Sequence, residues 1–287
     1  MNAPEPRYFF VHVDVPTAQG EDVSVALFEL GAEGVEERDE TTFVRGEKPD
    51  HVTLVAFFPT ETDAHEALGN LPADWSPRIR EVVGDAWRDA WKEHFRPFAL
   101  CPRVVVYPPW EPRPEAPAGG HLLALEPGRA FGTGLHATTS LVAGWIDENA
   151  RDQALLDVGT GSGILSFVAL LLGASRAVGI DPDPDSIEVA RENAVRNDLT
   201  SRFDASTADV ASLTETYPTV VANIETPILI PLAEALWARV APGGVLVLSG
   251  ILTTQEDDIV RAYGASHHQE TRRSGEWSCL TFRRTAG

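Results

Sequence analysis

The sequence predicts an α/β protein built from two domains, and three observations lead to this prediction. Its 287 residues exceed the roughly 100–200 residues of one compact domain. Residues 1–84 alternate strand and helix patterns in the order β-α-β-β-α-β. From Leu122 onward, fully apolar strands alternate with helices, and one strand-to-helix turn contains three glycines. Since strands without a polar face are buried on both sides, this second part predicts a parallel sheet covered by helices.

The N-terminal elements follow from apolar periodicity and from turn residues. Strands are predicted over residues 8–15, 35–38, 51–58 and 79–83. Helices are predicted over residues 21–30, ended by Gly31, and 60–71, where Thr60 is a candidate N-cap. This order is that of the ferredoxin-like, or split βαβ, arrangement. It predicts a first domain over residues 1–84.

A linker is predicted over residues 85–120. Its first part carries Trp87, Trp91 and Phe95 at every fourth position, which places the three aromatic rings on one face of a helix that Pro97 stops. The stretch from residue 107 to 120 is rich in proline and ends in two glycines, so it cannot form regular structure. The second domain is predicted over residues 121–287.

The second domain is predicted from four buried strands that alternate with helices. The strands lie over residues 154–158, 177–180, 220–223 and 245–249. The helices lie over residues 164–172, 183–197, 227–240 and 255–265. Segments 271–275 and 278–283 would add a terminal hairpin.

Composition narrows the classes of partner. Hydrophobic residues make up 43% of the chain, which is enough for folded cores, and the formal net charge is −20. Such a surface repels phosphate backbones, so a nucleic-acid substrate is disfavoured. It attracts a basic protein, although the same acidity would also keep the chain soluble in high salt, and both interpretations stay open.

The cysteines and the apolar runs set further expectations. Cys101 and Cys279 lack the C-x-x-C or Cys/His spacing of a metal site, so two buried thiols and no bound metal are predicted. No apolar run reaches the ~20 residues of a membrane span, and Met1 to Arg7 lacks the features of a signal peptide. We therefore expect a cytoplasmic protein.

A glycine-rich turn marks a candidate ligand site. Gly159, Gly161 and Gly163 lie between a predicted strand and a predicted helix, where missing side chains and helix N–H groups suit a nucleotide-like ligand. A dinucleotide fingerprint would place its third glycine at position 164, which is Ile164 here. A pyrophosphate ligand is therefore disfavoured.

An acidic residue follows the next predicted strand. Asp181 comes directly after the apolar run that ends at Ile180, at the carboxyl edge of the sheet. A carboxylate there can accept hydrogen bonds from both hydroxyls of a ribose, although it could instead cap a turn. Asp183, followed by Pro184, is predicted to cap the next helix.

These residues carry a resemblance to a known family. Asp157-x-Gly-x-Gly-x-Gly163 followed by Asp181 resembles the S-adenosylmethionine-dependent methyltransferases of class I, whose Rossmann-like fold has a seven-stranded sheet. Two further segments, Glu126-Pro-Gly-Arg-Ala-Phe-Gly-Thr-Gly-Leu-His-Ala-Thr-Thr139 and Val220-Val-Ala-Asn-Ile-Glu225, look like those of the ribosomal protein L11 methyltransferases, the PrmA family. The resemblance covers essentially the whole chain.

The resemblance implies which residues would bind the cofactor S-adenosylmethionine. It implies contacts from Thr133, Gly159, Gly161 and Asp181, and from Asn223, whose amide would also face the incoming amine as the catalytic residue. Asp209 is a weaker candidate for a contact to the adenine.

The segment that follows the predicted strand over residues 220–223 indicates which chemical group accepts the methyl. Many class I enzymes that methylate planar nitrogens have Asn-Pro-Pro followed by an aromatic ring, whereas this chain has Asn223-Ile-Glu-Thr-Pro227. An amine with a tetrahedral nitrogen has no plane on which a ring could stack. This form therefore favours a lysine or an N-terminal amine, and Glu225 lies either near that amine or in a solvated loop.

The function that the resemblance implies is methylation of ribosomal protein L11 at lysine side chains and at its N-terminal amine. One alternative is a lysine methyltransferase of another protein, such as an electron-transfer flavoprotein subunit. A second is a non-catalytic, cofactor-binding assembly factor. A nicotinamide dehydrogenase is disfavoured further, since the glycine pattern departs from the dinucleotide fingerprint.

Overall fold

The computed structural model describes residues 7–32, 34–38, 50–72, 75–83, 96–126, 134–149 and 152–286. The chain divides into two compact units, Met1–Phe95 and Arg96–Gly287. The predicted helix with Trp87, Trp91 and Phe95 lies outside the described residues. None of the described helices is long and apolar enough to cross a membrane.

The first unit has the predicted order of elements. It contains, in chain order, β1 (Arg7–Pro16), α1 (Gly20–Glu29), β2 (Gly34–Arg38), β3 (His51–Phe58), α2 (Glu61–Asn70) and β4 (Arg78–Val83). The four strands form an antiparallel sheet in the order β2-β3-β1-β4. Thr60 caps α2 as predicted, since its Oγ1 accepts a hydrogen bond from Asp63 N at 3.2 Å.

The core of the first unit follows from the alternation of side chains along β1. Phe9, Val11, Val13 and Val15 are all buried and belong to one hydrophobic cluster with residues of both helices. Because successive side chains of a strand point to opposite faces, these residues define the face on which the helices pack.

The second unit is built on a mixed sheet of seven strands with helices on both faces. Its elements are α3 (Ala137–Asn149), β8 (Ala154–Val158), α4 (Ile164–Leu171), β9 (Arg176–Ile180), α5 (Pro184–Arg196), β10 (Phe203–Ser206), β11 (Tyr217–Asn223), α6 (Thr226–Leu229), α7 (Ala233–Arg239), β12 (Val240–Leu252), α8 (Glu256–Tyr263), β13 (His268–Ser274) and β14 (Trp277–Arg283). The strand order is β10-β9-β8-β11-β12-β14-β13. The first five of these strands are parallel, and β14 is antiparallel to both β12 and β13.

Both faces of this sheet are buried. Leu155 and Leu156 are neighbours in β8, yet they belong to two separate hydrophobic clusters, one with α3 and α4 and the other with α7 and α8. The apolar strands therefore mark a sheet covered on both sides, as predicted. Cys101 and Cys279 are buried free thiols, as predicted.

Three short strands before α3 were not predicted. β5 (Phe98–Cys101), β6 (Val104–Tyr107) and β7 (His121–Ala124) form a separate sheet of the second unit. Leu100, Val104 and Leu123 are buried in the cluster that includes α3 and α4. Residues 96–126 thus pack with the second unit, whereas the sequence assigned residues 85–120 to a linker. The proline-rich segment between β6 and β7 lacks regular structure, as predicted.

The predicted helix over residues 227–240 is wrong in one respect. The structure has two shorter helices, α6 and α7, with a turn at Pro231 between them. Proline has no backbone N–H and its ring clashes with the preceding helical turn, so the helix cannot continue through it. β10 was also not predicted, because its sequence Phe-Asp-Ala-Ser lacks the apolar run that marks the inner strands.

Candidate active site

The candidate site lies at the carboxyl edge of three adjacent parallel strands. Gly159 follows β8, Asp181 follows β9, and Asn223 is the last residue of β11. β8 lies between β9 and β11 in the sheet, so the three residues end neighbouring strands at one edge. Ligands of open α/β sheets bind at this edge. The structure therefore brings four of the predicted site residues, Gly159, Gly161, Asp181 and Asn223, to one edge.

The glycine-rich turn has a backbone that only glycine adopts without strain. Gly159, Gly161 and Gly163 have φ angles of 72°, 52° and 83°. A Cβ atom on Gly159 would also lie 2.9 Å from Ile224 Cγ1, so this position has no room for a side chain. The N–H groups of Gly159 and Thr160 both donate to the carbonyl oxygen of Ile180, at 2.8 and 3.0 Å. The turn is thus fastened to the end of β9.

Asp181 joins the glycine-rich turn to the loop before α5. Its Oδ2 accepts a hydrogen bond from Gly161 N at 2.9 Å, and its Oδ1 accepts one from Asp183 N at 3.0 Å. The carboxylate retains further lone pairs, because each oxygen can accept two hydrogen bonds. Asp183 caps α5 as predicted, accepting from Asp185 N and Ser186 N at 3.0 and 3.2 Å.

Asp157, the first residue of the glycine motif, is a buried acid that was not among the predicted site residues. Its Oδ2 accepts hydrogen bonds from Thr160 Oγ1 and Ser166 Oγ, both at 2.8 Å, and from Ser166 N at 3.2 Å. Its Oδ1 is buried and has no hydrogen-bond partner among the described residues. Burial raises the pKa of Asp157 to about 6, although the hydrogen bonds from Thr160 and Ser166 oppose the shift.

Asn223 is held by the last residue of the Glu126–Thr139 motif. Its Nδ2 donates to Thr139 Oγ1 at 3.3 Å, and Thr139 is buried in α3. The neighbouring strand fastens the same region, since Ile224 N donates to Ser249 O at 3.0 Å and Ser249 Oγ donates to Thr138 O at 3.2 Å. The structure therefore joins two motifs that are far apart in the sequence.

His136 and Trp277 lie beside this junction, and neither was predicted as a site residue. His136 is exposed, its Nδ1 lies 2.8 Å from Thr138 Oγ1, and its ring packs against Trp277 with the centroids 4.7 Å apart. His136 could have been predicted from the sequence, because it lies within the Glu126–Thr139 motif. For Trp277 the sequence held no signal, because the contact depends on the fold of the terminal hairpin.

Three further residues were named from the sequence: Thr133, Asp209 and Glu225. Thr133 lies outside the described residues. Asp209 is exposed, and its carboxylate caps a short 3-10 helix by accepting from Ala211 N at 2.8 Å. Glu225 is exposed at the start of α6, where its side chain makes no capping hydrogen bond.

Comparison with known proteins finds similarity to one family. The sequence profile of the family described as "Ribosomal protein L11 methyltransferase (PrmA)" matches residues 7–285. The ribosomal protein L11 methyltransferase of Sorangium cellulosum is 56% identical over an alignment of 265 positions that covers 90% of this chain and 84% of that protein. The enzyme of the same name from Pelobacter propionicus is 36% identical over an alignment of 310 positions, gaps included, that covers 98% of each chain.

A solved structure agrees with these relatives. The crystal structure of ribosomal protein L11 methylase from Lactobacillus delbrueckii subsp. bulgaricus is 30% identical and superposes with a TM-score of 0.61, covering 67% of this chain and 100% of that one. The family profile spans both units, and relatives match over nearly the full length. The chain belongs to the ribosomal protein L11 methyltransferase (PrmA) family.

Proposed function

We propose that this protein transfers methyl groups from S-adenosylmethionine to amines of ribosomal protein L11, both lysine side chains and the N-terminal amine. The observation that carries the proposal is the convergence of the glycine-rich turn, Asp181 and Asn223 at one sheet edge, in a chain of the PrmA family. The reaction takes place in the cytoplasm, where ribosomal proteins are made. The family match does not favour the two alternatives, another protein substrate or a non-catalytic role.

The two units receive separate roles in this proposal. The strand order of the seven-stranded sheet supports its assignment as a class I methyltransferase domain. The β-α-β-β-α-β unit supports a ferredoxin-like domain over residues 1–84 that recognises the substrate. The packing of residues 96–126 supports a start of the catalytic domain at Arg96.

The residues at the sheet edge fit S-adenosylmethionine. The remaining lone pairs of the Asp181 carboxylate suit ribose hydroxyls, and the side-chain-free turn from Gly159 to Gly163 permits close approach of the nucleoside. The orphaned Oδ1 of Asp157 suits a cationic group such as the ammonium of the methionine part. We assign Thr133 to the same end of the cofactor. The cofactor supplies an electrophilic methyl group attached to a sulfonium.

Asn223 is assigned to orient the acceptor amine. Because its Nδ2 donates to Thr139, its carbonyl oxygen Oδ1 is turned to accept a hydrogen bond, and an amine N–H can donate it. That hydrogen bond fixes the direction of the nitrogen lone pair. Alignment of two reactants can lower a barrier by about 7 kcal/mol or more. Asn223 therefore serves as a catalytic residue that aligns donor and acceptor.

The acceptor must lose a proton before it can attack. A lysine with its ordinary pKa of ~10.4 is only about 0.04% neutral at pH 7. Partial desolvation in the site and the positive charge of the sulfonium both lower the pKa of that amine. Water then takes the proton, so no side chain acts as a dedicated general base.

Exposed apolar residues close in sequence to Asn223 and Thr139 fit a protein acceptor. Ile228 and Ile230 follow Asn223 and are 49% and 40% exposed, while Leu135, in the segment that leads to Thr139, is 44% exposed. Exposed apolar patches mark protein-binding surfaces. The net charge of −20 adds attraction for a lysine-bearing segment.

Incubation of the full chain with ribosomal protein L11 and S-adenosylmethionine tests the proposal. Intact-mass spectrometry should show increments of 14 Da on L11, and peptide mapping should locate them on lysines and on the N-terminal amine. If L11 stays unmodified but the protein binds S-adenosylhomocysteine, L11 is not the substrate, whereas the assignment of the cofactor stands. Failure to bind the cofactor would reject the enzyme assignment.

A further inference from the structure

Asn193 of α5 is a fully buried polar side chain that joins two segments of the candidate site. Its Nδ2 donates to the carbonyl oxygen of Ser162 in the glycine-rich turn, at 3.2 Å. Its Oδ1 accepts from the backbone N–H of Glu126 at 3.3 Å and from Arg196 Nη1 at 2.6 Å. The side chain is 0% exposed. Its donor and its acceptor are thus both engaged, each by a different segment.

The segment at Glu126 is fastened to the same helix by further bonds. Arg196 Nη2 donates to Glu126 Oε2 at 2.7 Å. Asn197, one helical turn after Asn193, makes two bonds to Ala124. Its Oδ1 accepts from Ala124 N at 2.8 Å, and its Nδ2 donates to Ala124 O at 2.7 Å. Residues 124–126 are therefore held along one face of α5, and Glu126 is the first residue of the motif that contains Thr133.

The glycine-rich turn is held from two sides at consecutive residues. Asp181 accepts the N–H of Gly161, and Asn193 donates to the carbonyl oxygen of the next residue, Ser162. These bonds hold the peptide units on either side of the Gly161–Ser162 peptide, so they restrict rotation of that peptide. The orientation of that peptide in turn decides which backbone groups face a ligand.

We propose that Asn193 is a positioning residue for cofactor binding, which rests on the proposed function. Its amide links the glycine-rich turn to residues 124–126, which lead into the motif that contains Thr133, so the turn keeps its place before the cofactor arrives. Preorganisation of this kind raises affinity, because less order must be imposed on binding. Asn193 does this through Ser162 O and Glu126 N, without contact to the cofactor.

The side-chain amide is required because it is both donor and acceptor. Asn193→Asp keeps the oxygen that accepts from Glu126 N and Arg196 but replaces the donor with an oxygen that repels Ser162 O. Asn197→Asp is the matched control on the same helix. It removes the donations to Ala124 O and to the backbone carbonyl oxygen of Asn193 and adds the same charge, but the bond from Asn193 Nδ2 to Ser162 O stays in place.

The test measures affinity for S-adenosylhomocysteine by calorimetry, with the melting temperature of each variant. Asn193→Asp should raise the Kd about tenfold, while kcat at saturating S-adenosylmethionine stays within about threefold. Asn197→Asp should leave the Kd within about twofold. Arg196→Met removes the guanidinium that donates to both Asn193 and Glu126, and it should raise the Kd about threefold. This variant tests the proposal if Asn193→Asp does not fold.

Equal Kd values for the wild type and Asn193→Asp, with a lowered melting temperature, would overturn the proposal and leave a purely structural role. A Kd raised equally by Asn193→Asp and Asn197→Asp would overturn it as well, because the glycine-rich turn would then not be the target. A wild-type protein that does not bind S-adenosylhomocysteine would instead reject the proposed function. The two failures are thus distinguishable.

Discussion

The two halves of the candidate site are held together in different ways. In the cofactor half, Asp157 accepts three hydrogen bonds from Thr160 and Ser166, all within nine residues of it in the sequence. In the acceptor half, the side chain of Asn223 donates a bond of 3.3 Å to Thr139, a residue 84 positions away. The exposed ring of His136 borders that half. The contacts of the proposed cofactor half are local in the sequence, whereas the proposed acceptor half depends on a contact between distant segments.

The largest expected effect lies in the acceptor half. Asn223→Ala removes the oxygen that orients the amine, so kcat should fall about a thousandfold, as for loss of a group that acts in the transition state. The Kd for S-adenosylhomocysteine should change by no more than about threefold, because Asp181 and the glycine-rich turn remain. Single-turnover rates and calorimetry measure the two quantities. A large rise in Kd without a change in the rate would move Asn223 to the cofactor half.

The buried acid of the cofactor half predicts a pH dependence of stability. The pKa of Asp157 is raised from 3.8 to about 6 in the folded protein. Between these values the folded state keeps the proton and the unfolded state releases it, so stability contributed by the protonated acid is complete below about pH 4 and is lost as pH rises to about 6. Relative to Asp157→Asn, the wild type should lose about 3 kcal/mol over this range.

Denaturant titrations of both proteins at intervals from pH 4 to 8 measure this difference. Asp157→Asn is the matched reference, because it has the same shape and cannot titrate. Above pH 6 the free energies of unfolding of the two proteins should differ by a constant amount. A constant difference from pH 4 upward would show that Asp157 is ionised in the folded protein throughout.

A third prediction compares two carboxylates that are two residues apart. Asp181→Asn should raise the Kd for S-adenosylhomocysteine about thirtyfold, since charge-assisted hydrogen bonds to the ribose are lost. Asp183→Asn should leave the Kd nearly unchanged, because Asp183 only caps α5 and asparagine caps helices equally well. Calorimetry with both variants checks this contrast. Similar Kd values for the two variants would leave Asp181 with a capping role alone.

The sequence predicted the cofactor half better than the acceptor half. Gly159, Asp181 and the cap Asp183 could be placed because a strand end, a glycine pattern and a capping residue are local signals. The bond between Asn223 and Thr139 and the contact between His136 and Trp277 depend on the packing of distant segments, which no local pattern contains.

The fold was predicted where strands are apolar and was missed where they are not. The inner strands β8, β9, β11 and β12 are buried on both faces, so their sequences differ from those of helices and loops. The edge strand β10 lacks such a run, and β5 to β7 flank the proline-rich segment from which a linker was predicted. Their hydrogen-bonding partners, rather than their composition, make them strands.

The smallest expected effect concerns the hydrogen bond between Asn223 and Thr139. Thr139→Val removes the hydroxyl that receives Asn223 Nδ2 but keeps the size of a side chain that is 3% exposed. The Asn223 amide can then rotate, so kcat should fall about tenfold, within the range expected when one hydrogen bond is lost. Thr139→Ser, which restores the hydroxyl, should recover most of this loss, whereas Thr139→Val and Thr139→Ser should bind S-adenosylhomocysteine alike. If serine fails to recover the rate, the methyl group of Thr139, and not its hydroxyl, supports Asn223. Packing rather than a hydrogen bond would then hold the Asn223 side chain in place.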